Sequence, residues 1–177
     1  PCLIFRTEPL PLDTRIHDVA VTGNIFRNQL TDTKCTLRFV TRPEALSCVY
    51  EGIVITGNVF DGNVQMLDPR TPDRSTVRDI VFADNVCEGD ILSVPSSTMA
   101  SSNIGVRGNL LRNASTIALN ASDWIWTGNT HVHGTLEVTA DAKANIIRDN
   151  VTTAPITDGG TETVLSGNVV KKSISKP

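Results

Sequence analysis

One phrase recurs along almost the whole chain: alternating β-branched or aromatic residues, then a small or acidic residue, then an asparagine. The copies read VAVTGNIF, IVITGNVF, IVFADNVC, IGVRGNLL, WIWTGNTH, IIRDNVT and VLSGNVV. Their asparagines are Asn24, Asn58, Asn85, Asn109, Asn129, Asn150 and Asn168, separated by 34, 27, 24, 20, 21 and 18 residues. This spacing is too irregular for ankyrin or leucine-rich repeats, but it suits a solenoid whose loops vary in length between fixed strands.

The residues around each asparagine predict strands and a sharp corner. Val, Ile, Phe and Trp dominate before it and alternate with period two. The preceding residue is Gly in five copies and Asp84 or Asp149 in the other two, and both types tolerate a left-handed backbone. A second apolar segment follows most corners, as at 90–94, 115–119 and 134–138. One coil is therefore expected to contain a strand, the corner, a short strand, a third strand and a variable loop.

Copies in the same orientation cannot pair as hairpins, so parallel stacking has to satisfy their backbone groups. At about 4.8 Å per step, the aligned asparagines would form a ladder of hydrogen-bonded amides inside the corner. The sequence thus predicts an all-β fold, a single-stranded parallel β-helix of about seven coils with an internal Asn ladder. We expect the β-helix over 15–172, a linker or partial cap at 1–14 and a C-terminal tail at 173–177.

Composition limits the classes of function. The chain has 177 residues, 40% hydrophobic and 20% charged, which excludes a disordered tail and allows one domain with a sizeable core. No apolar run approaches the roughly 20 residues of a transmembrane helix, so no membrane span is expected. A net charge of −3 argues against a nucleic-acid partner. The four cysteines follow no metal-like spacing, and no metal or cofactor is expected.

The phrase [VI]-x-[VI]-x-G-N-x-F resembles the right-handed parallel β-helix repeat of pectate-lyase-like proteins, over roughly residues 15–172. That group includes phage tailspikes, polysaccharide lyases, glycosidases and mannuronan epimerases. The resemblance implies a carbohydrate-facing role at a virion tail or an extracellular surface. It implies no particular reaction, because the calcium-binding aspartates of pectate lyases and the paired aspartates of polygalacturonases have no counterpart here.

Positions equally distant from each asparagine should become neighbours in the stack. In the first five copies, the positions five and three residues before the asparagine are apolar and are expected to fill the core, Trp124 and Trp126 included. A register slip of one residue would instead turn both tryptophans outward as a platform for sugar rings. The row four residues before it should face outward, yet it is apolar too. This outward row consists of Ala20, Val54, Val81, Gly105, Ile125, Ile146 and Val164. Either a loop covers it or it is buried against another subunit, and threefold tailspikes of this fold favour a homotrimer.

The row three residues after each asparagine carries charge. It places Asp61 and Glu88 on adjacent coils, with Arg27 and Arg112 on either side. Stacked carboxylates can act as general acid and base in a glycosidase or lyase, and Asp90 could join them. The alternative is a surface charge ladder in which the two arginines neutralise the acids.

Other polar residues give weaker signals. The row six residues before the asparagine holds Asp18, Asp79, Asn103 and Asp123, which fits turn chemistry at strand starts better than a calcium site. His131 and His133 lack a third ligand for zinc. The longest loops lie early in the chain, and Arg70 and Arg74 in one of them are candidate ligand-binding residues.

Three functions follow from these patterns. The first is a β-helical segment of a phage tailspike or similar surface-adhesion protein, trimeric and recognising cell-surface polysaccharide. The second is a polysaccharide lyase or glycoside hydrolase that uses Asp61 and Glu88. The third is a purely structural spacer.

Overall fold

The computed structural model describes residues 3–7, 14–27, 35–41, 48–67, 76–89, 91–93, 100–112, 116–119, 122–133, 135–140 and 142–171. These residues form 21 β-strands and no helix. Among these residues, no helix is long and apolar enough to span a membrane. The predicted all-β class is confirmed.

The strands form three sheets of seven, and each sheet takes every third strand along the chain. Sheet 1 contains β1 (Leu3–Thr7), β4 (Cys35–Thr41), β7 (Asn63–Leu67), β10 (Ile91–Ser93), β13 (Thr116–Leu119), β16 (Thr135–Val138) and β19 (Thr157–Asp158). Sheet 2 contains β2 (Thr14–Thr22), β5 (Cys48–Thr56), β8 (Thr76–Ala83), β11 (Ala100–Arg107), β14 (Trp124–Thr127), β17 (Ile146–Arg148) and β20 (Val164–Ser166). Sheet 3 contains β3 (Ile25–Phe26), β6 (Val59–Phe60), β9 (Val86–Cys87), β12 (Leu110–Leu111), β15 (Thr130–His131), β18 (Val151–Thr152) and β21 (Val169–Val170).

Strands pair in chain order, and every pairing within the three sheets is parallel. We call one strand from each sheet, taken in succession, a repeat. Leu3–Thr7 lies within the segment predicted as a linker or partial cap, and it forms β1, the first strand of sheet 1. Because β1 pairs with β4 over five residues, this part of the segment belongs to the sheet.

The corner between sheets 2 and 3 has the predicted left-handed backbone. Every residue directly before a ladder asparagine has a φ between 54° and 68°: Gly23, Gly57, Asp84, Gly108, Gly128, Asp149 and Gly167. A second left-handed row lies six residues before each asparagine, with φ between 52° and 61°: Asp18, Gly52, Asp79, Asn103, Asp123, Ala144 and Glu162. Each repeat therefore bends twice, and the polar row at this second bend owes its composition to backbone geometry.

The Asn ladder is confirmed over all seven repeats. The backbone N–H and the side-chain Nδ2 of each asparagine donate to Oδ1 of the next one along the chain, at 2.9–3.2 Å. From Asn58 onward, Nδ2 also donates to a backbone carbonyl of the preceding repeat, as from Asn109 to Phe82 at 3.0 Å. The five central asparagines are buried, and these bonds satisfy their amides in full.

The core lies between the three sheets, where the inward rows were predicted. Ile53, Ile80 and Ile104 are fully buried, as are both tryptophans. In sheet 3, the rings of Phe26 and Phe60 stack with centroids 5.1 Å apart and nearly parallel planes. Apolar columns thus run through successive repeats, interrupted toward the C-terminal repeats by the buried polar residues His131, Asn145 and Thr152.

Candidate functional site

The carboxylates of Asp61 and Glu88 lie on neighbouring repeats. Each residue directly follows a two-residue strand of sheet 3, and the strands β6 and β9 pair in register. The Glu88 N–H donates to the carbonyl of Phe60 at 2.8 Å, and the Asp61 N–H to that of Phe26 at 3.1 Å. The predicted charged row therefore exists, and it places the two acids one strand spacing apart.

Arg112 lies on the next repeat of the same row and neutralises one of these acids. Its Nη1 donates to Glu88 Oε1 at 2.8 Å, and its backbone N–H donates to the carbonyl of Cys87. Asp61 and Arg112 are exposed and Glu88 is half-buried. Such an ion pair contributes about 0–1 kcal/mol, as expected for a surface charge ladder.

The remaining candidate ligand-binding residues divide into two groups. Arg27 takes its predicted place in the charged row, directly after β3, and its side chain is exposed. Asp90, Arg70 and Arg74 lie outside the described residues. The segment 68–75, which carries both arginines, connects β7 to β8.

Sequence reasoning missed a second charged cluster, on sheet 2. Glu51 accepts from Arg15 Nε at 2.7 Å through Oε1, and from Arg78 Nε at 2.8 Å through Oε2. Register places Glu51 between His17 and Arg78 on adjacent strands. Counting back seven residues from each ladder asparagine would have found this row, because it reads His17, Glu51 and Arg78. A carboxylate held by two guanidiniums is a well-fixed structural group.

The positions of the outward row pair in register along the whole of sheet 2, and Val81 and Ile125 among them are half-buried. Ala20, Val54, Ile146 and Val164 are exposed, and Val164 is 53% exposed. The row is interrupted at Gly105, where the guanidinium of Arg107 lies so close that a Cβ on Gly105 would stand 3.0 Å from its Nε. An open groove includes part of the row, Ile125 and Ile146. Its other lining residues are Ser102, Asn103, Asp123, Trp124 and Ala144.

Sheet 3 carries a second outward apolar row that sequence reasoning also missed. It lies one residue after each ladder asparagine and is in register from end to end: Ile25, Val59, Val86, Leu110, Thr130, Val151 and Val169. Its two ends are exposed, and the positions between are half-buried except Thr130. Counting one residue forward from each asparagine would have revealed it.

Neither metal ligation nor sugar stacking gains support from the described residues. Asn103 Nδ2 donates to Asp79 Oδ1 at 2.7 Å in the second left-handed row. In the described ranges, no three His, Cys, Asp or Glu side chains come together as a metal site would require. Trp124 and Trp126 are buried in the core, so they are not a platform for sugar rings.

His131 is part of the core. It lies on the inward side of sheet 3, and its Nε2 accepts a hydrogen bond from Trp126 Nε1 at 3.1 Å. The Nδ1 atom is buried and has no hydrogen-bond partner in the structure. Burial lowers the pKa of His131 from 6.5 to about 4, so the ring is neutral at ordinary pH.

No family model, no curated protein and no solved structure matches the chain.

Proposed function

We propose that the chain is a single-stranded right-handed parallel β-helix of about seven coils, forming part of a phage tailspike or similar surface-adhesion protein. It would act as a homotrimer that recognises cell-surface polysaccharide, at a virion tail or another extracellular surface. The observation that carries the proposal is the exposed apolar outward row on sheet 2.

An apolar row with four exposed members on one sheet face supports the presence of a partner surface. Isolated apolar residues on a surface are ordinary, but a ladder that runs along a whole face marks an interaction site. The row follows the in-register pairing of seven successive strands of sheet 2, so copies of the chain can lie side by side along it. A threefold arrangement closes such contacts into a ring and leaves no copy of the row open.

We place polysaccharide recognition in the segments that follow β4, β7 and β10 of sheet 1. Residues 42–47, 68–75 and 94–99 connect β4, β7 and β10 to β5, β8 and β11, and the strands at both ends are neighbours within their sheets. Arg70 and Arg74 belong to the middle one, and variable loops on a rigid scaffold are where binding residues concentrate.

Sedimentation equilibrium at micromolar concentration tests the trimer. We expect a mass three times 19.1 kDa for the native chain and the monomer mass for Val54→Asp combined with Ile146→Asp. Val132→Asp is the matched control, because Val132 is similarly exposed but lies outside the row. A native monomer, or a trimer unaffected by the double substitution, would reject the outward row as the interface.

Binding to a panel of bacterial polysaccharides tests the ligand. We expect retention of one polysaccharide class, reduced about tenfold or more by Arg70→Ala combined with Arg74→Ala, as loss of charge-assisted contacts predicts. Arg15→Ala is the control, since it removes a guanidinium from sheet 2. A chain that binds no polysaccharide would be a structural spacer.

A polysaccharide lyase or glycoside hydrolase is the second candidate function, and the observation that favours it is the pairing of Asp61 and Glu88 on adjacent strands. Reducing-sugar release would be measured for the native chain, Asp61→Asn, Glu88→Gln and the control Glu137→Gln. Activity lost in the first two variants and retained in the control would establish the site. Equal activity in all four proteins would exclude it.

A further inference from the structure

The apolar core changes composition at the fifth repeat, β13–β15. In sheet 2, the inward row five residues before each ladder asparagine is apolar as far as Trp124, and Asn145 follows it in the sixth repeat. In sheet 3, the inward row two residues after the asparagine is apolar as far as Leu111, and His131 and Thr152 follow it. All three polar side chains are buried. Because apolar burial is the main favourable term when repeats pack together, the fifth and sixth repeats lack part of the packing that stabilises the second to fourth.

Two buried N–H groups of the fifth repeat have no hydrogen-bond acceptor among the described residues. His131 Nε2 accepts from Trp126 Nε1 at 3.1 Å, so the neutral ring carries its proton on Nδ1. This Nδ1 is buried and unpaired, and Trp124 Nε1 is buried and unpaired as well. A buried donor without an acceptor destabilises the folded state, and contact with water removes that cost. Opening of the fifth repeat would therefore satisfy both groups.

Protonation of His131 is incompatible with its hydrogen bond to Trp126. The second proton has to bind Nε2, because Nδ1 already carries one, and Nε2 would then be a donor that faces the donor Nε1 of Trp126. The hydrogen bond would be lost, and a positive charge would be left in the apolar core. Burial accordingly lowers the pKa of His131 from 6.5 to about 4.

The side chains around His131 provide no negative charge to compensate an imidazolium. The Trp126 and His131 ring centroids are 5.8 Å apart. The buried side chains of the strands before, beside and after His131 are uncharged: Leu111 of β12, Trp126 of β14, Leu136 and Val138 of β16, and Thr152 of β18. An imidazolium at this position would therefore meet only apolar and neutral groups.

The charged groups nearby lie on the outside of the fold. In the described ranges, no Asp, Glu, Lys or Arg side chain is buried. The charged and titratable residues described on the fourth to sixth repeats, His131 aside, are all exposed: Arg107, Arg112, Asp123, His133, Glu137, Lys143, Arg148 and Asp149. Cys87 shares the inward row of His131 two repeats earlier, and burial, with a smaller effect of Glu88, raises the pKa of its thiol, which is therefore neutral.

We propose that His131 is a proton-sensitive switch of local unfolding: in acid the fifth and later described repeats open, while the second to fourth remain folded. Strands pair only between adjacent repeats, so β13, β14 and β15 can separate from β10, β11 and β12 without breaking any pairing among the earlier strands. Stability in such a stack is a sum of repeat and nearest-neighbour contributions, which permits opening in parts. The open form exposes Trp124 and Trp126, which are buried in the closed form. The switch acts within one copy of the chain, so it requires neither the trimer nor a polysaccharide ligand.

The direction of the pH dependence follows from the protonation of the two forms. Above pH 6.5, His131 is neutral in both forms, and opening does not depend on this group. Between pH 6.5 and about 4, the open form binds the proton and the closed form does not. The ratio of open to closed molecules should therefore rise about tenfold for each unit by which the pH falls, and by up to about 300-fold in total.

Native-state amide hydrogen exchange of the full chain, measured between pH 7 and pH 4 in low concentrations of urea, is the experiment. The Val151 N–H donates to the backbone carbonyl of Asn129 in the sixth repeat, and the Val86 N–H donates to that of Asn58 in the third, both at 2.9 Å. After correction for the intrinsic exchange rate, protection of Val151 should fall about tenfold per pH unit. Exchange of Val151 should also depend less on urea than that of Val86, because it requires only part of the surface to be exposed. Over the same pH range, acrylamide should increasingly quench the fluorescence of the two tryptophans, which both belong to the fifth repeat.

Two variants isolate the contribution of His131. His131→Leu and His131→Gln both remove the titratable group, the first with an apolar side chain and the second with an uncharged polar one. In both, protection of Val151 should lose the tenfold dependence on pH, whereas the control His133→Gln, at an exposed position, should keep it. The inference is overturned if Val151 and Val86 show the same protection and the same urea dependence, because the chain would then open only as a whole. It is equally overturned if either His131 variant keeps the native pH dependence.

Discussion

At the scale of the residue, the carboxylate of an acid at a left-handed corner lies against the glycine of the next repeat. The carboxylate of Asp84 lies over Gly108, where an added Cβ would stand 2.6 Å from Oδ1. Asp149 lies over Gly167 in the same way. Gly128 has a similar φ of 65°, but the nearest atom to its added Cβ is 3.9 Å away. Gly108 and Gly128 therefore share a backbone conformation but differ in their steric surroundings.

Alanine substitutions should separate these two effects. Gly128→Ala is expected to lower the free energy of unfolding by about 1–2 kcal/mol, the cost of a left-handed L-residue. Gly108→Ala should cost a few tenths of a kcal/mol more, because its methyl group also displaces the exposed Asp84 carboxylate. Adding Asp84→Gly should reduce that cost to the level of Gly128→Ala. Urea unfolding followed by circular dichroism measures all four proteins, and equal losses in the two alanine variants would contradict the steric argument.

His131 should make the fold sensitive to acid. Burial lowers the pKa of His131 from 6.5 to about 4, so between these values the unfolded chain binds the proton and the folded chain does not. The free energy of unfolding should then fall as pH drops from 6.5 to 4, by about 3 kcal/mol once pH is below 4. The measurement is urea unfolding between pH 7 and pH 3.5.

The contribution of His131 is the difference between the native chain and His131→Leu, since carboxylates titrate in both. Leu suits the position because Leu111 occupies it one repeat earlier. His133→Gln, an exposed neighbour, should keep the native pH profile. If His131→Leu retained the full loss of stability at low pH, another group would have to be responsible.

At the scale of the element, the Asn ladder joins one repeat to the next. Asn109 Oδ1 accepts from the N–H and Nδ2 of Asn85, and its Nδ2 donates to Phe82 and Asn129. Asn109→Ala should therefore leave several buried polar groups unsatisfied and cost about 3 kcal/mol or more. Asn24 is exposed at the end of the ladder, and Asn24→Ala should cost about 1 kcal/mol. Similar losses in the two variants by urea unfolding would show that burial does not set the strength of the ladder.

The elements around the ladder were the predictable part of the fold. Strands, corner and asparagine are encoded within eight consecutive residues and repeated seven times, so local chemistry and counting suffice. The second left-handed row was predicted only as turn chemistry at strand starts, because Asp, Asn, Gly, Ala and Glu share it and no single residue type marks the bend.

Counting residues from each ladder asparagine predicted less of the candidate site than of the strands. It placed Asp61 beside Glu88 and gave Arg112 as a neutralising neighbour, since these residues lie a fixed distance from the ladder. It did not reveal that Glu51 binds both Arg15 and Arg78, because that cluster depends on where long side chains turn within the sheet. Arg70 and Arg74 lie in a segment of no fixed length, for which the repeat provides no register.

At the scale of the whole molecule, each described strand pairs only with strands of the adjacent repeats, so stability should vary from repeat to repeat. Two equivalent hydrogen bonds allow a direct comparison. In the fourth repeat, the Leu110 N–H donates to the backbone carbonyl of Asn85 at 2.9 Å. In the last described repeat, the Val169 N–H donates to the backbone carbonyl of Asn150 at 2.8 Å. The two bonds are alike in geometry and in position within the repeat. They differ because β12 is paired on both sides, whereas β21 is the last described strand of sheet 3.

Amide hydrogen exchange at low protein concentration should therefore be at least about tenfold slower at Leu110 than at Val169, because the last repeat can open while the central ones stay paired. Val151, one repeat before Val169 and with the same type of bond to Asn129, should exchange at an intermediate rate. A compact globule that unfolds in one step would instead exchange its slow amides together, at a rate set by global unfolding. Equal protection at Leu110, Val151 and Val169 would therefore contradict the additive stack.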